Sequence, residues 1–269
     1  MLPAFLLTLR EGVEAILVLA IVLGLLVKSG QPELRRYAWG GAITALLLSF
    51  AAAVVLTRLG AEFEGLGEVI FEGSTMLLAG LFLLWMIFWV RNHAVKPALQ
   101  SKIANISAKG EAGSLFGLTF FAVLREGIEL ALFLVAISFG TQKGLMTAGA
   151  LGGLLAASAL GFLLYASSSR VHMGVFFKVT NIFLMFFAAG LLAASIGEFS
   201  EIGLIPVIIP KMYDITSLMG TQNFLGGTLK VLFGYNPAPS LMEMLVYLAV
   251  IGVVLATGRK KFQPASQTA

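Results

Sequence analysis

The apolar residues of this chain gather into seven runs, each close to the length that a helix needs to cross a bilayer. The runs cover roughly residues 4–27, 37–57, 70–90, 115–139, 145–166, 174–196 and 241–257. A transmembrane β-barrel would instead show segments of about ten residues with alternating polarity. The pattern therefore predicts an all-α polytopic membrane protein with seven transmembrane helices.

Composition agrees with this prediction. Of the 269 residues, 58% are hydrophobic and only 12% are charged, whereas a soluble domain carries about 25% charged residues. The chain has no cysteine, which excludes disulfides, thiolate metal sites and cysteine nucleophiles. We expect the lipid bilayer as a partner and no nucleic acid.

The basic residues between the runs predict an orientation. Twelve of them fall on one predicted side of the membrane, namely Lys28, Arg35, Arg36, Arg91, Lys96, Lys102, Lys109, Arg170, Lys178, Arg259, Lys260 and Lys261. The other side has four, Arg58, Lys143, Lys211 and Lys230. Because cytoplasmic loops carry the excess of lysine and arginine, we expect the N-terminus outside and the C-terminus in the cytoplasm.

A charged hexapeptide occurs twice inside the apolar runs. Leu-Arg-Glu-Gly-Val-Glu spans residues 9–14, and Leu-Arg-Glu-Gly-Ile-Glu spans residues 124–129. A weaker match, Ala-Gly-Leu, occurs at 79–81 and 189–191. Copies that each contain three spans must run in opposite directions, as in many transporters. We therefore expect inverted repeats over about 4–90 and 115–196, followed by an additional seventh helix at 241–257.

Each hexapeptide places two carboxylates and one guanidinium on one helix face, because residues three and four apart are neighbours on a helix. The members are Arg10, Glu11, Glu14, Arg125, Glu126 and Glu129, and together they carry a charge of −2 when all are ionised. Carboxylate oxygens select hard cations such as Mg²⁺, Ca²⁺, Mn²⁺ or iron. The four glutamates are the predicted metal ligands, and the arginines orient them.

A buried Arg–Glu pair can also serve only to fix the register of two helices. Two copies on opposed repeats, each with a surplus glutamate, favour an ion site instead. Charged residues within membrane spans are costly and tend to mark function.

Two further acidic stretches lie on the predicted outer side. The first runs from Glu62 to Glu72, and Glu72 is already flanked by apolar sequence. The second contains Glu198 and Glu201, at the start of a long outer loop predicted over about 197–240. Glu72, Glu198 and Glu201 are candidates for an outer entrance that attracts cations. For the loop from Glu62 to Glu72, an ordinary solvated loop is the simpler interpretation.

The two motifs resemble those of the oxidase-dependent iron permease family, which includes fungal high-affinity iron permeases and bacterial EfeU-type permeases. That family has Arg-Glu-x-x-Glu in spans one and four, and seven spans with the N-terminus outside. The segment from Glu198 to Pro206 also resembles the family form Glu-x-x-Glu-x-Gly-Leu-x-Pro, with Gly197 where a histidine often stands. The resemblance covers essentially the whole chain.

This resemblance implies inward transport of iron across the plasma membrane, with the motif glutamates as iron ligands. In a bacterium this would be the inner membrane. Iron would be the transported substrate, as Fe²⁺ or Fe³⁺, without an organic cofactor. Any oxidase, peroxidase or iron-delivery protein would be a separate extracytoplasmic partner. The chain itself would be a transporter and not an enzyme.

Two other functions are compatible with the residues alone. A membrane-embedded lipid-phosphate hydrolase can also use glutamates and arginines on inverted repeats, but no serine-rich phosphate motif and no histidine nucleophile lies beside either hexapeptide. A cation/proton exchanger for another divalent metal would use the same carboxylates.

Overall fold

A computed structural model describes residues 1–92, 111–139, 142–166, 173–220, 226, 229 and 233–259. Regular structure in these residues is helical, with seven long helices. They are α1 (Leu2–Lys28), α2 (Arg35–Glu62), α3 (Leu66–Asn92), α4 (Ala112–Ser138), α5 (Lys143–Ala166), α6 (Met173–Glu201) and α7 (Leu241–Arg259). Two single turns accompany them, Pro32–Leu34 and Thr216–Met219.

Each predicted apolar run coincides with one long helix, so the all-helical prediction is confirmed. Four helices are long and apolar enough to cross a membrane by length and composition, namely α2, α3, α5 and α6. Helices α1 and α4 are equally long, but each contains the three charges of its hexapeptide. The full set of seven crossings and the repeat layout stay predictions.

The chain divides into two compact units. The first comprises Met1–Phe63 and Phe88–Thr180, and the second comprises Glu64–Ile87 and Asn181–Ala269. Both hexapeptides lie in the first unit. The candidate entrance residues lie in the second.

In the first unit, the helices that pack together most closely are not neighbours in the sequence. Helix α1 packs mainly on α5, α4 packs mainly on α2, and α1 and α4 also contact each other. The α1–α4 contact is antiparallel, because Val22 and Leu26 of α1 pack against Leu115 at the start of α4 while Glu11 approaches Glu126.

Glycines bring the paired helices into backbone contact at matching positions. A Cβ built on Gly41 of α2 would lie 2.5 Å from Phe116 O of α4. A Cβ on Gly149 of α5 would likewise meet the carbonyl of Met1, which is 115 residues before Phe116. The hexapeptide glycines follow the same rule, since Gly12 faces Ala157 of α5 and Gly127 faces Ser49 of α2. A side chain at either glycine would push the neighbouring helix away.

In the second unit, α3 and α6 pack antiparallel. A Cβ on Gly73 would lie 2.9 Å from Phe199, and one on Gly80 would lie 2.6 Å from Leu192. Gly190, the partner of Gly80 in the weak Ala-Gly-Leu match, instead faces Gly234. The two copies of that tripeptide therefore make different contacts.

The predicted outer loop begins later than residue 197, because α6 continues to Glu201. Gly203 ends the helix with φ +74°, and its N–H donates to Ser200 O while the Leu204 N–H donates to Phe199 O. This is the Schellman pattern, in which a left-handed glycine satisfies the last carbonyls. Glu198 and Glu201 are thus residues of the last helical turns and not of a loop.

Beyond α6 the chain folds back along itself. Met212 N donates to Pro239 O and Ile215 N donates to Pro237 O, so the segments before and after the turn Thr216–Met219 lie side by side. Asp214 accepts hydrogen bonds from Thr216 Oγ1 and Lys211 Nζ. These bonds hold the pKa of its carboxyl below the usual range.

The adjacent residues Gly40 and Gly41 of α2 allow a test of the contact between α2 and α4. We expect Gly41→Ala to lower the thermal unfolding midpoint in detergent by roughly 2–10 °C, since overpacking costs about 1–3 kcal/mol. Gly40→Ala is the matched control, because its Cβ would lie 3.7 Å from the Phe116 ring, an ordinary contact. Equal midpoints for the two variants would contradict the α2–α4 contact.

Candidate cation site

In the first hexapeptide, Arg10 holds both glutamates of its own helix. Its Nη1 donates to Glu11 Oε1 at 2.6 Å, and its Nη2 lies 2.8 Å from Glu14 Oε1. Arg10 and Glu11 are each 1% exposed. The predicted i, i+4 pairing within the motif is present, and the i, i+1 contact adds a second bond.

The second hexapeptide forms a similar but more open arrangement. Arg125 Nε donates to Glu129 Oε1 at 2.7 Å and lies 4.0 Å from Glu126 Oε1. The Arg125 side chain is 32% exposed, whereas Glu129 is buried. The two arginines therefore differ in enclosure although their motifs match in sequence.

The α1–α4 contact brings three carboxylates together. One oxygen from each of Glu11, Glu126 and Glu129 lies within 4.8 Å of the others. Oε2 of each of these glutamates is buried and has no hydrogen-bond donor among the residues that the structure describes. Buried acceptors without donors are costly, and a hard cation would satisfy all three at once.

Glu14 differs from the other predicted ligands. Its carboxylate is not within the close group, it is paired with Arg10, and its side chain is 20% exposed. The structure thus brings three of the four predicted ligands together. Glu14 still acts electrostatically on Glu11 and Glu126, so its charge belongs to the same site.

The predicted entrance residues meet one another in the second unit. Gly73 lets α3 approach Glu198 of α6, since a Cβ at this glycine would lie 3.2 Å from Glu198 Cβ. Glu72 of α3 therefore lies where Glu198 and Glu201 act on it electrostatically, together with Glu68. We call Glu68, Glu72, Glu198 and Glu201 the acidic cluster. It lies where α3 begins and α6 ends.

Glu243 has a structural role that its sequence pattern could have revealed. It accepts from Ser240 Oγ at 3.0 Å, and its own N–H donates to Ser240 Oγ at 3.3 Å. Ser-x-x-Glu before an apolar run is the capping-box signature. Asn236 Nδ2 also donates to this carboxylate, so Glu243 stabilises the start of α7.

The described residues thus form an all-helical structure with long apolar helices and a buried group of three carboxylates that could hold a cation. The chain belongs to the iron permease FTR1 family, whose sequence profile it matches over residues 1–261. This membership confirms the resemblance inferred from the hexapeptides.

Several relatives are bacterial proteins named ferrous iron permease EfeU. The one from Yersinia pestis is 34% identical over 252 residues, covering 92% of this chain and 89% of the relative. That of Escherichia coli O6:H1 is 34% identical over 260 residues, covering 92% and 91%. The Shigella sonnei protein is 34% identical over 260 residues, with the same coverage. No solved structure matches the chain.

The unequal enclosure of the two arginines leads to a stability prediction. Removing one partner of a buried ion pair costs about 3–5 kcal/mol, so we expect Arg10→Gln to lower the thermal unfolding midpoint strongly. Arg125→Gln should lower it less, because that side chain is partly exposed.

Lys211→Gln is the control, since it removes an exposed pair with Asp214 and such pairs contribute about 0–1 kcal/mol. Unfolding of the three variants is followed by differential scanning fluorimetry in one detergent. A loss for Arg125→Gln that equals the loss for Arg10→Gln would contradict the difference in enclosure.

Proposed function

We propose that this protein carries iron inward across the plasma membrane, with Glu11, Glu126 and Glu129 as direct ligands of the ion. Two observations carry the proposal: Glu11, Glu126 and Glu129, on two helices of one unit, each bring an oxygen within 4.8 Å of the others, and each has a buried Oε2 without a donor among the described residues. Family membership supplies the metal. Glu14 contributes charge and accepts the ion as it enters or leaves the group.

The arginines have a positioning role in this proposal. Each holds one glutamate oxygen by a hydrogen bond of 2.6–2.7 Å, which leaves the second oxygen for the ion. A positive charge beside each pair also lowers the cost of keeping several carboxylates ionised in a medium of low dielectric constant.

Charge balance favours Fe²⁺ as the ion in the site. The six charged side chains of the hexapeptides sum to −2 when ionised, so a divalent ion neutralises them and a trivalent ion leaves an excess positive charge. The relatives bear the name ferrous iron permease. An inside-negative potential of 100 mV would drive a divalent ion inward with about 4.6 kcal/mol.

The two hexapeptides belong to inverted repeats in this proposal, with all seven long helices crossing the membrane and the N-terminus outside. The antiparallel contact of α1 with α4 and the matched contacts of Gly12 and Gly127 support it. Rocking of one repeat against the other would then open the site to each side in turn.

The acidic cluster is the proposed outer entrance. Four carboxylates at one end of α3 and α6 attract cations and raise their local concentration. Iron would reach this surface from a separate extracytoplasmic oxidase, peroxidase or iron-delivery protein. The inner membrane of a bacterium is the proposed location.

Uptake into proteoliposomes tests the ligands. With an inside-negative potential and radioactive Fe²⁺ or Fe³⁺ supplied separately, we expect Fe²⁺ uptake by the wild type. Glu11→Gln, Glu126→Gln and Glu129→Gln should each reduce it by at least ten-fold, because each removes a charged ligand from the ion.

Glu33→Gln is the matched control, since Glu33 is an exposed residue on the turn Pro32–Leu34 and its loss should leave uptake unchanged. Wild-type rates in folded Glu126→Gln and Glu129→Gln proteins would refute the assignment of ligands. A pH-sensitive dye inside the vesicles tests the cation/proton exchanger in the same experiment, because exchange would move protons outward as iron enters.

Removal of the acidic cluster should affect the entry rate more than binding. We expect Glu72→Gln combined with Glu198→Gln and Glu201→Gln to slow Fe²⁺ uptake at low iron concentration by about ten-fold at low ionic strength. The difference should shrink in 0.5 M salt because screening weakens steering. A salt-independent defect would instead indicate a structural role.

A further inference from the structure

Thr8 has a buried hydroxyl without a hydrogen-bond partner among the described residues, and the residue is 3% exposed. Buried hydroxyl residues elsewhere in these helices bond back to their own backbone. Thr119 Oγ1 donates to Leu115 O at 3.0 Å, and Ser49 Oγ donates to Ala45 O at 2.8 Å. Thr8 makes no such bond, so its hydroxyl is available to another group.

Thr8 lies at the edge of the α1 face that contacts α5, since a Cβ on Gly153 would lie 2.9 Å from Thr8 Cβ, and it stands one turn before Glu11. Thr8 precedes Glu11 by three residues on α1, and residues three apart are neighbours on a helix surface. Helical side chains lean toward the N-terminus, so the Glu11 side chain leans over the turn of Thr8. Glu11 Oε2 is itself without a donor. Two buried oxygens one turn apart would both be satisfied by one shared cation.

The second hexapeptide shows what packing alone requires at this position. Val123 stands two residues before Arg125, as Thr8 stands two residues before Arg10. Val123 is 3% exposed and packs with Ala42 and Ala45. Valine and threonine have the same shape, so an apolar residue would satisfy packing at position 8. The Thr8 hydroxyl therefore adds a polar atom that packing does not need.

We propose that the Thr8 hydroxyl oxygen is a fourth, neutral ligand of the cation held by Glu11, Glu126 and Glu129. This inference rests on the proposed function of that site. Hard cations accept neutral oxygen ligands alongside carboxylates. A hydroxyl raises the coordination number without adding charge to the site, which makes the ligand set of the first hexapeptide different from that of the second.

Substitution by valine separates the hydroxyl from the shape of the side chain. We expect purified Thr8→Val in detergent to bind radioactive Fe²⁺ about ten-fold more weakly in anaerobic equilibrium dialysis. Thr8→Ser should bind within about two-fold of the wild type because it keeps the oxygen. The thermal unfolding midpoint of iron-free Thr8→Val should be equal to or above that of the wild type, since a buried hydroxyl without a partner opposes folding.

Thr119→Val is the matched control, because Thr119 is buried on α4 and its hydroxyl is already bonded; its iron affinity should equal that of the wild type. Wild-type affinity in Thr8→Val, or equal losses in Thr8→Val and Thr119→Val, would overturn the ligand role. Glu126→Gln tests the cation site independently of Thr8. If the wild type and Glu126→Gln bind Fe²⁺ equally, the proposed site itself fails and the role of Thr8 fails with it.

Discussion

The first unit depends on burying carboxyl groups beside two guanidinium groups. A single buried carboxylate would be costly, and an arginine on the same helix four residues away is a partner that the helix supplies without any tertiary contact. Arg10 with Glu14 and Arg125 with Glu129 are such pairs. Because each pair is formed within its own helix, α1 and α4 can meet through Glu11 on one helix and Glu126 and Glu129 on the other.

The second requirement is close approach of the helices. Small residues allow it where α1 packs on α5 and where α4 packs on α2. Gly12 contacts Ala157 and Gly127 contacts Ser49, so the residue between the two motif glutamates turns away from the site toward α5 or α2. Glu11, Glu126 and Glu129 consequently face the other motif helix. Larger residues at these glycines would separate α1 from α5 or α4 from α2. The displaced helix would carry its glutamates out of position.

Local spacing determined what could be predicted from sequence. The helices and the pairing of Arg10 with Glu14 follow from helical periodicity within a few residues. The separation of Glu14 from the other ligands depends on how α1 meets α4, which no local pattern encodes. Gly203 and the Ser240–Glu243 capping box did carry local signals. Gly203 as a helix-ending residue would have predicted that α6 continues to Glu201. The capping box would have predicted that Glu243 stabilises the start of α7.

The charge of the site also constrains how an ion can leave it. A site with charge −2 is neutral when it holds Fe²⁺, and neutral groups are tolerated in a medium of low dielectric constant. Loss of the ion restores two uncompensated negative charges among six side chains of which four are buried. Protons bound by the glutamates would remove that cost, since metal and protons compete for the same oxygens. The empty site is therefore costly in its ionised form, and the two arginines limit that cost by holding the summed charge at −2 instead of −4.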